Sequence, residues 1–180
     1  MQKLMFLLES NNNFKIKTVH NLLEQKKVKI VDTEKEKFFQ KLYLYFGNNQ
    51  IEVLFMKEKK IFKCPVNFNV LVNAIIELLS NFEIKYKKLI YCPIKNRITQ
   101  DNFSASLGEI HNLILIYLFL NQKDGILKDE LYAILWPNDK NIQINKLDTH
   151  LTNLKSFLYE KINFSIKISS SKGNISLGID

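Results

Sequence analysis

At 180 residues, 46% hydrophobic and 24% charged, the chain has material for one large core or two small ones, and only five Gly and three Pro exclude a linker-rich or low-complexity architecture. The net charge of +8 and pI near 9.3 are spread evenly, with 13 cations and 9 carboxylates in residues 1–83 and the same numbers in 84–180, which excludes a basic tail. A positive field favours anionic partners such as nucleic acid, although all but one of the 26 cations are lysine, the exception being Arg97, in a chain crowded with Asn and Ile.

Cys64 and Cys92 lie far apart, each before a proline, and make neither a metal spacing nor a disulfide framework. The opening "MQKLMFLLESNNN" has no small-residue cleavage site. The longest apolar run, "LILIYLFL" (113–120), is eight residues, against about 20 for a bilayer span. The expectation is a cytoplasmic protein with no membrane partner.

In chain order, "KLMFLL" (3–8) reads as a buried strand and "FKIKTVHNLLEQKK" (14–27) as a helix, with Ile16, Val19, Leu22 and Leu23 at helical spacing. "VKIV" (28–31) is the next strand. "TEKEKFFQKLYLYFG" (33–47) has helical spacing, a Thr33-x-x-Glu36 capping box and a stop at Gly47; its aromatics suit a core or a dimer interface. "IEVLFM" and "KIFKC" are β-like, and "NVLVNAIIELLS" (69–80) closes the half as a helix with Val70, Ala74, Ile75, Leu78 and Leu79 inward. Strands separated by helices predict a small, mostly parallel α/β sheet.

The second half changes character near residues 81–85. "YKKLIYCPIKNRITQDNFSASL" (86–107) alternates short β-like runs with turns and predicts an antiparallel sheet. Three helical blocks follow, "GEIHNLILIYLFLNQ", "LKDELYAILW" stopped by Pro137, and "NKLDTHLTNLKSFLYE". The end, "FSIKISSSKGNISLGI", reads as a hairpin around Lys172-Gly173. The predicted fold is therefore α/β plus α+β.

Residues 84–180 resemble the effector domain of the OmpR/PhoB-type response regulators of bacterial two-component systems. That family has a β platform, a helix, a second helix ending in Trp, a recognition helix reading Val-Asp-Val-His-Ile before a basic Leu-Arg-Lys run, and a wing ending in Gly-Tyr-x-Leu. Here "KDELYAILWP" matches the second helix with Trp136, "KLDTHLTNLKSFL" matches the recognition helix without a gap, and "SIKISSSKGNISL" resembles the wing. The resemblance implies a winged helix-turn-helix domain at 84–180 with an N-terminal antiparallel β platform. Residues 1–83 are similar to the family's receiver through "KLMFLLES" and "KCPVNFNVLVNAIIELL".

The receiver likeness is degraded. A phosphate-accepting receiver needs two acids after its first strand to hold Mg²⁺, an Asp ending its third strand, and a Lys directly before the Pro. Glu9-Ser10 offers one acid, Cys64 stands in the Lys position with Lys63 one place early, and Asp32 ends the second strand. No phosphoacceptor, metal or cofactor is assigned. No GxSxG, P-loop or HExxH occurs, so the chain is not expected to be an enzyme.

In the recognition helix, at about residues 144–159, Leu147, Leu151, Leu154 and Leu158 form the buried stripe and leave Asn145, Lys146, Thr149, Thr152, Asn153 and Ser156 outward. Asn suits adenine, and Thr offers a methyl to thymine. The family places arginines where Thr152 and Asn153 stand, so the expected preference leans to A·T pairs. Lys128, Lys146, Lys155 and Lys172, the last on a wing at about 164–178, are the phosphate contacts expected. Trp136 reads as a core plug, the resemblance adding that its indole N–H reaches a phosphate, and His150, which matches the family's His, reads as either a phosphate donor or a packing residue. The reading is a phosphorylation-independent transcriptional regulator on double-stranded DNA, a homodimer through residues 1–83 with helix 69–80 as one interface, with RNA polymerase a further candidate partner. The alternative is a winged-helix interaction module that has lost DNA binding.

Overall fold

The apolar run that opens the chain forms strand β1 (Phe6–Ser10) in the computed structural model, which describes residues 6–26, 28, 30–31, 37–139 and 141–178. Helix α1 (Asn13–Gln25) starts where the Asn12 side chain accepts from the Lys15 backbone N–H at 2.9 Å, and it buries Val19 and Leu23. Strand β2 (Ile30–Val31) follows, then β3 (Gln40–Phe46), β4 (Gln50–Phe55), β5 (Glu58–Lys63) and helix α2 (Phe68–Leu79), capped by Asn67. These elements belong to the first of two compact units, into which the chain divides between Phe82 and Glu83.

The sheet of the first unit runs β2-β1-β3-β4-β5. It is mixed rather than mostly parallel: β1 is parallel to β2 and β3, whereas β3, β4 and β5 are antiparallel neighbours joined by short turns. The difference traces to residues 40–46, expected as a helix and found as β3. Phe39, Leu42 and Phe46 fit helical spacing while Leu42, Leu44 and Phe46 fit alternation, and Tyr43 and Tyr45 fill the outward positions with residues that favour strands. Thr33 and Glu36, read as a capping box, and Asp32 lie outside the described residues.

Leu42, Leu44, Phe46, Ile51, Val53 and Phe55 point to one face of this sheet and are buried. Helices α1 and α2 touch one another as well as the strands, so both cover that face. The Lys60–Glu77 ion pair at 2.6 Å joins β5 to α2 on the same side. Helix α2 buries Leu71, Val72, Ile75, Leu78 and Leu79; Val70, expected inward, is 55% exposed, and Ala74 is half-buried. Ile75, Leu78 and Leu79 face inward as expected, so its apolar stripe is spent in its own core, with Leu71 and Val72 in place of Val70 at its start.

The second unit opens with a four-stranded antiparallel meander, β6 (Ile84–Tyr86), β7 (Leu89–Cys92), β8 (Arg97–Gln100) and β9 (Phe103–Ser106), as its turn signals predict. Helix α3 (Glu109–Leu120) is apolar almost all round and buried from Asn112 to Phe119, which makes it the central element. Asn112, fully buried, accepts from the Tyr91 hydroxyl at 2.5 Å and donates to the Pro93 carbonyl at 3.3 Å, fastening α3 to the meander. Burial pushes the Tyr91 phenol well above its ordinary pKa, so this bond keeps its proton throughout the working range.

The short strand β10 (Ile126–Leu127), helix α4 (Lys128–Leu135), helix α5 (Ile144–Ile162) and the strands β11 (Ile168–Ser171) and β12 (Asn174–Leu177) complete the unit. Strands β10, β12 and β11 pair in that order. Gly125, just before β10, has φ +73°, and a Cβ there would stand 2.7 Å from the Asn174 amide and 2.9 Å from the Ile175 carbonyl, so only glycine lets β10 approach β12 so closely.

Candidate nucleic-acid interface

Helix α5 is amphipathic as its sequence requires: Leu147, Leu151, Leu154, Leu158 and Ile162 are buried, and α3 and α4 pack against it. Its C-terminus is closed by Asn163 in the left-handed region, φ +54°. On the opposite side Asn145, Thr149, Thr152, Asn153, Lys155 and Ser156 are exposed. Asn145, Asn153 and Ser156 have no side-chain hydrogen bond among the described residues, so their donors and acceptors are available to a ligand.

The two threonines are oriented by their own helix. The Thr149 hydroxyl donates to the Asn145 carbonyl at 2.8 Å and the Thr152 hydroxyl to the Asp148 carbonyl at 2.9 Å. With each hydroxyl proton spent on the preceding turn, a ligand meets acceptor lone pairs and a methyl group.

The wing stands beside this helix. Lys172 and Gly173 form a two-residue turn with φ +49° and +77°, the pair of positive values of a type I′ hairpin, so the Lys172 ammonium sits at an exposed tip. Lys155 on α5 donates to the Ile168 carbonyl of β11 at 3.2 Å, which ties the outward side of the helix to the hairpin. The Lys128 N–H donates to the Gly173 carbonyl at 2.8 Å, tying the tip to the start of α4. Behind the tip, Ile175 is buried and the Asn174 amide donates to the Asp124 carbonyl at 3.0 Å.

Two of the four lysines picked from sequence are held by carboxylates of the same unit. Lys128 pairs with Asp148 at 2.6 Å, joining the start of α4 to α5. Lys146 pairs with Asp139 at 2.9 Å and lies 4.2 Å from the centre of the Trp136 ring. Asp139 also accepts from the Tyr132 hydroxyl at 2.6 Å. Those two hydrogen bonds, Tyr132 first and Lys146 next, hold the Asp139 carboxyl below its ordinary pKa, while burial and then Asp139 raise the Tyr132 phenol.

Trp136 is half-buried rather than a core plug. It packs on Tyr132 and, at 5.3 Å, on His150, which meets His111 at 6.2 Å. Burial, then the neighbouring His150, lowers the His111 pKa. Sequence reading did not single out Tyr132, Asp139 and Asp148, because their contacts bridge separate elements and follow no helical period. The proximity of Lys146 to Asp139, seven positions apart across a loop, was the available signal.

No protein-family profile matches the chain, and no curated protein does. Among solved structures it is similar to the DNA-binding domain of CadC from E. coli, at 14% identity over 53% of this chain and 91% of that one, with a TM-score of 0.46. It is similar over 98% of its length and 99% of the other's to DrrB of Thermotoga maritima, a response regulator described as an OmpR/PhoB homolog, at 13% identity and a TM-score of 0.46. A third likeness, at 11% identity over 97% and 99% with a TM-score of 0.42, is to a streptococcal redox sensor of a family evolved from two-component response regulators. At this distance function does not transfer, and the site has to be read from the side chains of this chain. Among the described residues no helix is long and apolar enough to cross a membrane, and no group of three or more His, Cys, Asp and Glu is placed to hold a metal.

Proposed function

We propose that residues 84–180 form a winged helix-turn-helix that binds double-stranded DNA, and that the protein is a transcriptional regulator working without phosphorylation. The observation that carries this reading is the uncovered polar face of α5, Asn145 to Ser156, beside a hairpin whose tip presents Lys172. Placed in a major groove, α5 would offer Asn153 and Asn145 amides for bidentate contacts with adenine, and the Thr149 and Thr152 methyls to thymine. Lys155 and Lys172 would meet phosphates, exchanging a weak carbonyl contact or water for a charged oxygen. Lys128 and Lys146 act chiefly as braces for α4, α5 and the loop between them, with Trp136 and His150 completing that brace. A homodimer through residues 1–83 would match paired half-sites.

Selection from random duplexes tests the readout. The expected consensus is rich in A·T steps, since amides and hydroxyls dominate the outward face and no arginine stands on it; a G-rich consensus would contradict it. A second reading, an interaction module without DNA binding, draws on the same ion pairs: Asp148 and Asp139 neutralise two of the four lysines near the face. Under that reading the selection enriches nothing.

A further inference from the structure

The helices of the first unit cover one face of its sheet, and the register fixes what the other face carries. On β3 the outward residues are Lys41, Tyr43 and Tyr45; on β4 they are Gln50, Glu52 and Leu54; on β5 they are Lys59, Ile61 and Lys63. A solvated face of an antiparallel sheet is ordinarily polar. Here Tyr43 is 43% exposed, Tyr45 54%, Leu54 36% and Ile61 54%, with Met56 beside them at 62%. We propose that this open face, centred on Tyr43, Tyr45, Leu54 and Ile61, is where two copies of the chain pack sheet against sheet. The proposal deepens the dimer part of the reading above and moves the interface from α2, whose apolar stripe is internal, to the opposite side of the unit.

Three considerations select a second copy as the occupant. The first is area. Side chains of this size present about 150–250 Å² when fully exposed, so five at 36 to 62% exposure offer roughly 500 Å², and two copies meeting bury about 1,000 Å², the lower bound of a specific interface. The second is charge. Lys41 pairs with Glu9 at 2.9 Å and Lys59 with Glu52 at 2.8 Å, so the face is close to neutral and can meet its own copy about a two-fold axis without repulsion. The same pattern argues against single-stranded nucleic acid on the exposed tyrosines, because Glu52 lies in register between Tyr45 and Ile61, where a phosphate chain would pass. The third is the edge. Strand β5 carries Lys59, Lys60 and Lys63, which disfavours pairing strand to strand at that edge and leaves face-to-face packing as the apolar contact.

The test is the mass of the full chain by sedimentation across a concentration series, without DNA. The wild type is expected at twice its 21.2 kDa chain mass. The double variant Tyr43→Glu, Tyr45→Glu is expected to be monomeric, its dissociation constant raised roughly 100-fold or more. Val70→Glu, on the exposed side of α2, is expected to stay dimeric. Circular dichroism and thermal melting check that the variants fold; if the double variant does not, Ile61→Lys on the edge strand carries the same expectation. A wild type monomeric at all concentrations overturns the proposal, as does a dimer that survives the charges on the sheet or is lost with Val70→Glu alone. A monomeric wild type that binds an oligothymidylate through the tyrosines overturns it in favour of nucleic acid. A monomer that still binds duplex DNA in a salt-dependent way sinks only the interface and leaves the functional reading standing.

Discussion

Strand β3 and helix α5 both bury an apolar row and turn a second row outward, but the second rows differ in kind. Strand β3 hides Leu42, Leu44 and Phe46 and shows Tyr43 and Tyr45; α5 hides Leu147, Leu151, Leu154 and Leu158 and shows Asn, Thr and Ser. An outward row of aromatics gains by excluding water and suits a matching apolar surface. An outward row of amides and hydroxyls gains nothing from desolvation alone and suits a partner with its own pattern of donors and acceptors. One protein thus carries two outward rows of different chemistry on separate units, and the proposals above assign association to one and reading to the other.

The contrast can be broken from the inside first. Leu154→Ala removes a side chain with no exposure from the seam of α5 and is expected to cost about 2–5 kcal/mol in urea unfolding, taking DNA binding with it. A loss under about 1 kcal/mol would mean that α5 is not held by that seam.

The outward row is probed by Asn153→Ala, expected to leave stability within about 0.5 kcal/mol while costing about 1–3 kcal/mol in discrimination between a preferred duplex and one with its adenine replaced. Equal weakening on both duplexes would assign Asn153 to the backbone rather than to a base.

The smallest effect is one of pH. Burial, then His150, lowers the His111 pKa, so the folded state binds that proton less readily than the unfolded chain. The resulting stability is complete above the ordinary histidine value near 6.5 and is lost as pH falls through it toward the lowered folded value. Urea midpoints at about pH 7.5 and about pH 5.5 should fall on acidification, and His111→Gln should fall less. An equal fall in both would place the titration elsewhere.

The second unit was the more legible from sequence because its elements announce themselves by unambiguous periods. The four leucines of α5 recur only at helical spacing, Lys172-Gly173 is a two-residue hairpin turn, and the meander is punctuated by Asn96 and Asp101 with positive φ. The first unit hid β3 because apolar residues occupy both faces, which makes alternation and helical spacing indistinguishable by counting. The first turn of α2 was hidden for a related reason: Val70, Leu71 and Val72 are consecutive, and only the packing chooses which of them face inward. At the candidate site the outward polar residues of α5 could be read from the period of its leucines. The ion pairs that restrain Lys128 and Lys146 could not, since Asp148 and Asp139 meet them only after α4, α5 and their loop have folded together.

Binding to genomic fragments across a salt series tests most directly whether the uncovered face of α5 and the tip at Lys172 engage duplex DNA. The expected result is a linear fall of log affinity with log salt whose slope corresponds to several counterions, reduced by about one in Lys172→Ala. A flat response, or a slope untouched by Lys172→Ala and Lys155→Ala together, would contradict the DNA reading and favour a protein partner for the second unit.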